Sequence, residues 1–373
     1  MNILGMVMMM LLLVTILLGG HFFVYFSLVR FFSIEAANIK ITLAVTLFLL
    51  GVSFILSSIL AHYSENTFTK GAYFVSNLWL AVGWNLSMAL ILSWAAIGGL
   101  KLFNVDFDYK YLALFSFFGA AILSGYGIWS AFHPQLKNIT AEMKNLPEAW
   151  QGKKMIQLSD VHLGHIYDQH FLESVVAQVN AENPDIVVIT GDLFDGMDGQ
   201  LASLATPLND IKAPQGIYFV TGNHETYLGV NNALAALQKT PVHILDNAVV
   251  NIDGMQILGM SYPARDEKIN LAEAIKKVTN FQAEQPNILL YHNPAEAAHA
   301  REAGIDLQLA GHTHRGQLFP FQWITQLIYG KYAYGLTTEG DFSLYTSAGV
   351  GTWGPAMRTS GRPEILVIGF EGA

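Results

Sequence analysis

The chain has 373 residues, of which 52% are hydrophobic and only 13% are charged, with a mean hydropathy of +0.35. This composition is too apolar for an ordinary soluble domain, and it excludes a disordered or collagen-like protein. The chain contains no cysteine. Disulfides, thiolate metal ligands and a cysteine nucleophile are therefore excluded.

The excess of apolar residues lies in four N-terminal runs that contain no Asp, Glu, Lys or Arg. These runs cover residues 1–29, 41–64, 71–100 and 111–136. Each is longer than the roughly 20 residues that a helix needs to cross the hydrocarbon layer of a bilayer. We therefore predict a transmembrane region of four helices over residues 1–135, a linker over residues 136–152 and a separate domain over residues 153–373.

Several details of the predicted membrane region bear on its topology. The first run lacks the basic start of a cleavable signal peptide, so a retained helix is favoured over that alternative. Lys and Arg in the short loops number four on one side and five on the other, so their distribution assigns no orientation in the membrane.

Three polar side chains lie inside the apolar runs, namely His21, Asn77 and Asn85. We expect these polar side chains to form hydrogen bonds between helices rather than a functional site.

The rest of the chain is acidic, because residues 155–373 carry eleven basic and twenty-three acidic side chains, a net charge of −12. An acidic surface repels polyanions, so nucleic acid is not an expected partner.

Short β-rich runs after residue 154 alternate with helical patterns, which predicts an α/β domain. The predicted strands are Met155–Ser159, Ile186–Thr190, Ile217–Thr221, Ile288–Tyr291, Leu307–Ala310, Phe342–Thr346 and Ile365–Phe370. The predicted helices are Gln169–Asn180, Asn231–Gln238, Leu271–Thr279 and Pro294–Glu302.

Five of these strands are followed by side chains that commonly bind metals. They are Asp160 and His162, Asp192, Asn223 and His224, His292, and His312 and His314. In an extended backbone, residues two apart point to the same face. Both side chains of the Asp160/His162 pair, and both of the His312/His314 pair, could therefore bind the same metal centre. Imidazole and carboxylate together suit Zn, Fe, Mn or similar divalent ions. The preceding Gly191, Gly222 and Gly311 permit tight turns and close approach.

Each fragment has an ordinary structural explanation when it is taken alone. A buried histidine is usually a core residue with satisfied hydrogen bonds, and an aspartate after a strand often caps a helix. Six of the nine histidines after residue 154 nevertheless lie at or beside these strand ends. Such a concentration favours a shared metal centre over independent structural roles.

The blocks D-x-H, G-D, G-N-H-E, H and G-H-x-H occur in this order over residues 158–314. In this pattern the chain resembles the calcineurin-like metallophosphoesterase superfamily. It is also similar to a branch of membrane-associated bacterial phosphodiesterases through Gly311–Gln317 and Gly349–Pro355. The resemblance covers about residues 153–371. It implies two packed mixed β-sheets flanked by helices, and it says nothing about the four N-terminal runs.

The resemblance also implies a site that holds two divalent metal ions and catalyses hydrolysis by attack of a metal-bridging hydroxide. One ion would be bound by Asp160, His162, Asp192 and His314, and the second by Asp192, Asn223, His292 and His312. His224 would be the general acid that protonates the leaving group. Asp195 and His165 are candidates to orient the ligands, with an ordinary surface position as the alternative.

Two arginines are candidates to bind the substrate phosphate, namely Arg358 and Arg315. An ordinary loop position is an equal alternative for Arg358 and a slightly favoured one for Arg315. The segment from Phe319 to Tyr329 carries no charge. It fits a surface that enters the lipid headgroup region, and equally a buried core segment.

The expected function is that of a membrane-anchored phosphohydrolase that acts on a phosphodiester or pyrophosphate of a lipid or lipid precursor. A phosphorylated small molecule, such as a nucleotide, is the alternative substrate. A phosphomonoesterase, a nuclease and a membrane sensor or scaffold without turnover are the alternative functions. The four apolar runs predict a multi-pass membrane protein with the bilayer as its partner, and the similarity to membrane-associated bacterial phosphodiesterases favours the bacterial inner membrane. The side of the membrane, the native metals and the oligomeric state stay open.

Overall fold

The computed structural model describes residues 3–64, 66–195, 200–264 and 269–372. These residues form two compact units. The first contains the described residues up to Trp129 together with Gly354–Met357. The second contains Ser130–Trp353 and the described residues from Arg358 onward.

The first unit is built on four long helices. They are α1 (Ile3–Phe31), α2 (Ala37–Tyr63), α3 (Thr67–Leu102) and α4 (Tyr109–Ala131). In the described part of the chain, these four are long and apolar enough to cross a membrane, as the charge-free runs predicted.

Polar side chains inside this unit connect neighbouring helices. The indole nitrogen of Trp79 donates a 2.9 Å hydrogen bond to His21 Nε2, which joins α3 to α1. Asn85 Nδ2 donates to Ser124 Oγ at 3.0 Å, which joins α3 to α4. The expected interhelical role is confirmed for His21 and Asn85. The amide nitrogen of Asn77 instead donates to the carbonyl of Tyr73 within α3.

The second unit contains two six-stranded sheets in its described residues. The strands are β1 (Gln135–Met143), β2 (Lys154–Leu158), β3 (Ile186–Thr190), β4 (Ile217–Val220), β5 (Val242–Ile244), β6 (Ala248–Ile252), β7 (Met255–Gly259), β8 (Asn287–Leu290), β9 (Leu307–Ala310), β10 (Gly335–Glu339), β11 (Phe342–Thr346) and β12 (Glu364–Gly372). The first sheet has the order β1-β12-β2-β3-β4-β5, and the second has the order β10-β11-β9-β8-β7-β6. Strands β2 to β5 are parallel, as are β7, β8, β9 and β11. Both sheets are mixed, because β12 pairs antiparallel with β2, β10 with β11 and β6 with β7.

The sheets pack face to face and are flanked by helices. The helices are α5 (Gln169–Ala181), α6 (Leu201–Leu204), α7 (Asn223–Leu228), α8 (Val230–Leu237), α9 (Leu271–Ile275), α10 (Ala297–Glu302) and α11 (Phe321–Tyr329). Val188 of the first sheet and Leu290 of the second belong to one buried apolar cluster between the sheets. Helices α5 and α8 pack outside the first sheet, and α9 and α10 pack outside the second. Apolar strands covered on both faces are typical of parallel sheets, and the predicted α/β class is confirmed.

All seven predicted strands form, but the sequence prediction missed five others. The most informative of these is β1, because residues 136–152 had been expected to form a linker. This strand pairs in parallel with β12 at the edge of the first sheet. Trp150 is fully buried, and its indole nitrogen donates to the carbonyl of Ile252 at 2.8 Å. The expected linker therefore contributes a strand and a core side chain. The strand was not predicted because the charged residues of this segment are typical of a loop.

Candidate metal centre

The candidate site lies where the carboxyl ends of parallel strands from both sheets meet. Strands β2, β3 and β4 of the first sheet lead into the loops that carry Asp160 and His162, Asp192, and Asn223. Strands β8 and β9 of the second sheet lead into those of His292 and of His312 and His314. Ligands in α/β folds bind at the carboxyl ends of strands, so the topology itself brings these residues together.

One group of side chains gathers around Asp160. Its Oδ1 atom lies 3.3 Å from His314 Nε2, and His314 Nε2 lies 3.0 Å from His162 Nε2. Potential ligand atoms of these three residues lie within 4.8 Å of one another, and all three side chains are buried. This spacing is small enough for one cation to contact all of them.

A second group gathers around His292. Its Nε2 atom lies 3.1 Å from Asp192 Oδ2, 3.2 Å from Asn223 Oδ1 and 3.2 Å from His312 Nδ1. Asp192 also forms a close group with His162 and His224. It is thus the side chain that connects the two groups. All seven predicted metal ligands converge in this way, and they comprise four imidazoles, two carboxylates and one amide.

The backbone of the ligand loops is unusual and corrects one expectation. The φ angles are +52° at Asp160, +55° at His162, +51° at Asp192, +73° at His312 and +48° at His314. These residues occupy the left-handed region, so the assumption that the Asp160/His162 and His312/His314 pairs are extended was wrong. Non-glycine residues rarely adopt this conformation, and such residues cluster at functional sites. Tight turns, rather than strand alternation, aim these side chains at the site.

Two glycines allow the loops to approach each other closely. A Cβ atom on Gly311 would lie 1.9 Å from Ser159 Oγ, and one on Gly222 would lie 2.2 Å from Asp192 Oδ1. Neither distance is possible for a real side chain. The expectation that these glycines permit close approach is confirmed, and any larger residue would push a ligand loop out of place.

The electrostatics of the site favour an ionised Asp192 beside neutral imidazoles at His312 and His314. Burial raises the pKa of an aspartate, but the nearby His292 outweighs this effect at Asp192 and lowers its pKa below the ordinary range. Burial lowers the pKa of His312 to about 3, with the charge on His292 adding to the shift. Burial and then the neighbouring His162 also lower the pKa of His314. At His292 itself, Asp192 outweighs burial and raises the pKa to about 10.

These donors fit a pair of divalent cations. An ionised carboxylate and uncharged imidazoles can offer lone pairs, and a cation held beside Asp192 would keep His292 in the neutral, ligating form. A mixed set of nitrogen and oxygen donors suits Zn, Fe, Mn or similar ions.

Glu225 is an important residue for which the sequence analysis assigned no role. Its fully buried carboxylate accepts hydrogen bonds from the backbone nitrogens of Gly222 at 2.7 Å, Asp192 at 2.9 Å and Phe194 at 3.1 Å. Burial raises the pKa of Glu225 to about 7, and the charge on Asp192 adds to the rise. Its position in the first turn of α7, three residues after Gly222, was the available signal.

His224 lies beside the metal ligands with one ring nitrogen already engaged. Its Nδ1 lies 2.8 Å from the carbonyl oxygen of Asp195, a distance at which an N–H donates to that oxygen. The Asp195 carboxylate also lies 3.4 Å from His162 Nδ1. This geometry supports the interpretation of Asp195 as a residue that orients both rings.

The two candidate substrate-binding arginines have different surroundings. Arg358 is fully buried, and its Nη1 donates to the carbonyl of His314 at 2.8 Å, while Nη2 donates to the carbonyl of Gly351. Its guanidinium therefore supports the His314 loop, and the expectation that it contacts substrate phosphate is corrected to a positioning role. Burial lowers the pKa of Arg358 to about 10. Arg315 is half-buried and stacks on Tyr334, with its guanidinium carbon 4.3 Å from the ring centroid.

Comparisons with known proteins agree with this geometry. Residues 153–316 match the calcineurin-like phosphoesterase family. A metallophosphoesterase of Campylobacter jejuni is 34% identical over 64% of this chain and 64% of its own length. One of Helicobacter pylori is 34% identical over 69% of this chain and 68% of its own length.

A third relative, from Danio rerio, is named as a transmembrane protein with a metallophosphoesterase domain. It is 32% identical over 66% of this chain and 60% of its own length. The chain thus spans less than two thirds of the Campylobacter and Danio proteins. From the matched domain and these relatives, we conclude that the chain belongs to the calcineurin-like metallophosphoesterase family.

Proposed function

We propose that the protein is a membrane-anchored two-metal phosphohydrolase that cleaves a phosphodiester or pyrophosphate carried by a lipid or lipid precursor. The observation that carries this proposal is the convergence of seven donor side chains on Asp192 and its neighbours. In this proposal the membrane region covers residues 1–135. The phosphoesterase domain covers residues 153–373 and is extended by β1.

The chain's own residues would hold the two ions and fix their positions. Two divalent ions bound here would activate a water molecule near neutral pH and offset charge on the phosphoryl oxygens. Asp192 would be the shared ligand, because it forms one close group with His292 and His312 and another with His162 and His224. Two hydrogen bonds orient the Asp160 carboxylate as a metal ligand. They come from Ser159 Oγ at 2.5 Å and from the backbone nitrogen of His312 at 3.1 Å.

His224 would give a proton to the leaving-group oxygen. Because Nδ1 of His224 is hydrogen-bonded to the Asp195 carbonyl, Nε2 is the ring nitrogen that can contact the substrate. Burial and then the neighbouring His162 lower the pKa of His224. A substrate phosphate beside the ring would add negative charge, which favours the protonated form that an acid catalyst needs.

A cavity beside the candidate metal centre can take the remainder of a substrate. It has a volume of about 880 Å³, and its lining includes Thr226, Asn247, Tyr262 and Asn270. The Tyr262 ring lies 6.0 Å from the His292 ring and 6.3 Å from the His312 ring. A cavity of this size supports a substrate considerably larger than inorganic phosphate.

The link to the membrane region supports a lipid as the carrier of the phosphate. Helix α4 ends at Ala131 and β1 begins at Gln135, so three residues separate a helix that could cross the bilayer from the first sheet. Such a connection spans at most roughly 14 Å, because an extended chain covers about 3.5 Å per residue. A phosphoesterase on so short a tether is confined near lipid headgroups.

A comparison of substrates tests this proposal. The full-length protein in nanodiscs would be loaded with Mn or Zn and supplied with an aryl phosphodiester, an aryl phosphomonoester, a cyclic nucleotide and a lipid pyrophosphate. We expect hydrolysis of the aryl diester and the highest kcat/KM for the lipid pyrophosphate. Activity confined to the cyclic nucleotide or the monoester would contradict the proposed substrate. No hydrolysis by the metal-loaded protein would contradict the proposed two-metal site.

A further inference from the structure

Helix α11 turns its apolar side away from the phosphoesterase unit. Trp323 is 64% exposed, Ile324 49%, Leu327 86% and Ile328 66%, and none of the nine described residues of α11 is fully buried. The opposite side, with Gln322, Thr325 and Tyr329, is half-buried. A surface helix of a soluble protein normally has the reverse arrangement, with its apolar side against the core. The expectation that this segment packs as a buried core is therefore wrong.

The exposed residues form one continuous apolar surface, which we call the α11 face and define as Phe319, Trp323, Ile324, Leu327 and Ile328. The ring of Phe319 contacts the ring of Trp323, with their centroids 5.3 Å apart. The sequence from residue 316 to residue 330 carries no charged side chain. Exposed apolar surfaces of this kind mark sites of interaction with a partner or a membrane.

Helix α11 lies at the edge of the candidate metal centre, and the side opposite the α11 face is the one that contacts it. Tyr329, the last residue of α11, has its ring 6.1 Å from the ring of His312. His312 in turn contacts His292, with Nδ1 and Nε2 separated by 3.2 Å. A layer that covers the α11 face would therefore lie about one helix diameter, roughly 10 Å, from the place where phosphorus would react.

We propose that the α11 face inserts into the headgroup layer of the bilayer and holds the metal centre at the depth of lipid phosphates. Three observations favour the bilayer as the partner that covers the α11 face. The described residues include four helices able to cross a bilayer, and three residues separate the last of them from β1. The face is uncharged, and its Trp, Phe and Leu side chains are typical of segments that lie in the membrane interface.

Residues 155–373 carry a net charge of −12, which determines what kind of membrane binding the α11 face can have. Anionic headgroups would repel this part of the chain, so insertion must depend on apolar contact rather than on electrostatic attraction. Binding should then occur on zwitterionic lipid and change little with salt. The substrate class that fits is an amphiphile whose chains stay in the bilayer while its phosphoester reaches the metals, a consequence that rests on the proposed function.

The absence of native cysteine provides a direct test on the full-length protein. Leu327→Cys places a single thiol on the α11 face, and Ala177→Cys places one on the exposed side of α5 as a control. Each variant is labelled with an environment-sensitive fluorophore and reconstituted into phosphatidylcholine vesicles. We expect nitroxide-labelled lipid to quench the label at 327 roughly threefold more than the label at 177, and iodide to quench in the opposite order.

Two results would overturn the inference. Equal access of iodide to both labels would show that the α11 face remains in water. Protection of the label at 327 from both quenchers, with energy transfer between differently labelled copies, would show that a second copy of the chain covers it. The measurement needs no turnover. A lipid-inserted label on an inactive enzyme would therefore reject the proposed function alone, and a water-exposed label on an active enzyme would reject this inference alone.

Discussion

The buried carboxylate of Glu225 accepts a 2.9 Å hydrogen bond from the backbone nitrogen of Asp192. The same carboxylate accepts a 2.7 Å bond from Gly222, which precedes the proposed ligand Asn223. One side chain thus connects the loop after β3 to the loop after β4. Because Asp192 links the two donor groups, the position of that loop controls the geometry of the whole site.

Glu225→Gln tests this connection. The glutamine amide would direct N–H groups toward backbone N–H groups and leave buried donors unsatisfied, which costs about 1–3 kcal/mol. We expect a lower melting temperature and weaker metal retention, measured by thermal unfolding and by metal content after dialysis. The control is Glu173→Gln on the exposed side of α5. A Glu225→Gln protein with the stability and metal content of the parent would show that the connection is unimportant.

Asp192→Asn tests the shared ligand. Replacing the carboxylate removes the negative charge that two cations would share, so we expect fewer than two bound ions per chain and loss of aryl phosphodiester hydrolysis. Metal content by mass spectrometry and initial rates would be measured together. Asp210→Asn, at an exposed position, is the matched control. Substantial residual hydrolysis by Asp192→Asn would reject the assignment of the metal ligands.

His224→Ala separates acid catalysis from metal binding. Positioned acid catalysis contributes roughly 10²–10⁴-fold in rate, and a poor leaving group depends on it most. We expect a large loss with an alkyl ester leaving group, a small loss with a nitrophenyl leaving group and retained metal. The exposed His170 provides a control in His170→Ala. Equal losses with both leaving groups would exclude the acid role.

Arg358→Lys distinguishes support of a ligand loop from substrate binding. Lysine cannot reproduce the planar fork that bonds the carbonyls of His314 and Gly351, and one unpaired buried carbonyl costs about 1–3 kcal/mol. We expect kcat to fall while KM changes little, together with a lower melting temperature. Arg315→Lys serves as the comparison. A rise in KM alone for Arg358→Lys would restore the substrate-binding role.

Two truncations test where the phosphoesterase domain begins. Removal of residues 1–150 deletes β1 and the buried Trp150, whereas removal of residues 1–133 keeps both. Loss of a buried Trp side chain typically costs about 3–5 kcal/mol. We expect the shorter deletion to melt at a higher temperature and to hydrolyse soluble aryl diesters. Equal stability of the two proteins would show that β1 and Trp150 add little.

Local patterns in the sequence were sufficient for the four long helices, for α5, α8, α9 and α10, and for most inner strands, whereas α6, α7 and α11 were not predicted. The charge-free runs predicted α1 to α4, because the length of an apolar run is a local property. Strands β3, β9 and β11 were predicted with their observed ends, because buried strands covered on both faces are continuous apolar runs. Strand β1 was missed, since an edge strand with charged side chains resembles a loop.

By itself, the sequence determined which residues could form a metal site, because ligand types after successive strands are readable along the chain. Only the tertiary structure decided how they meet. The burial of Arg358 against the His314 loop and the hydrogen bonds from Asp192 and Phe194 to Glu225 join segments that are distant in sequence. The outward apolar side of α11 was likewise undecidable beforehand, because an uncharged apolar segment fits both a buried core position and a membrane interface.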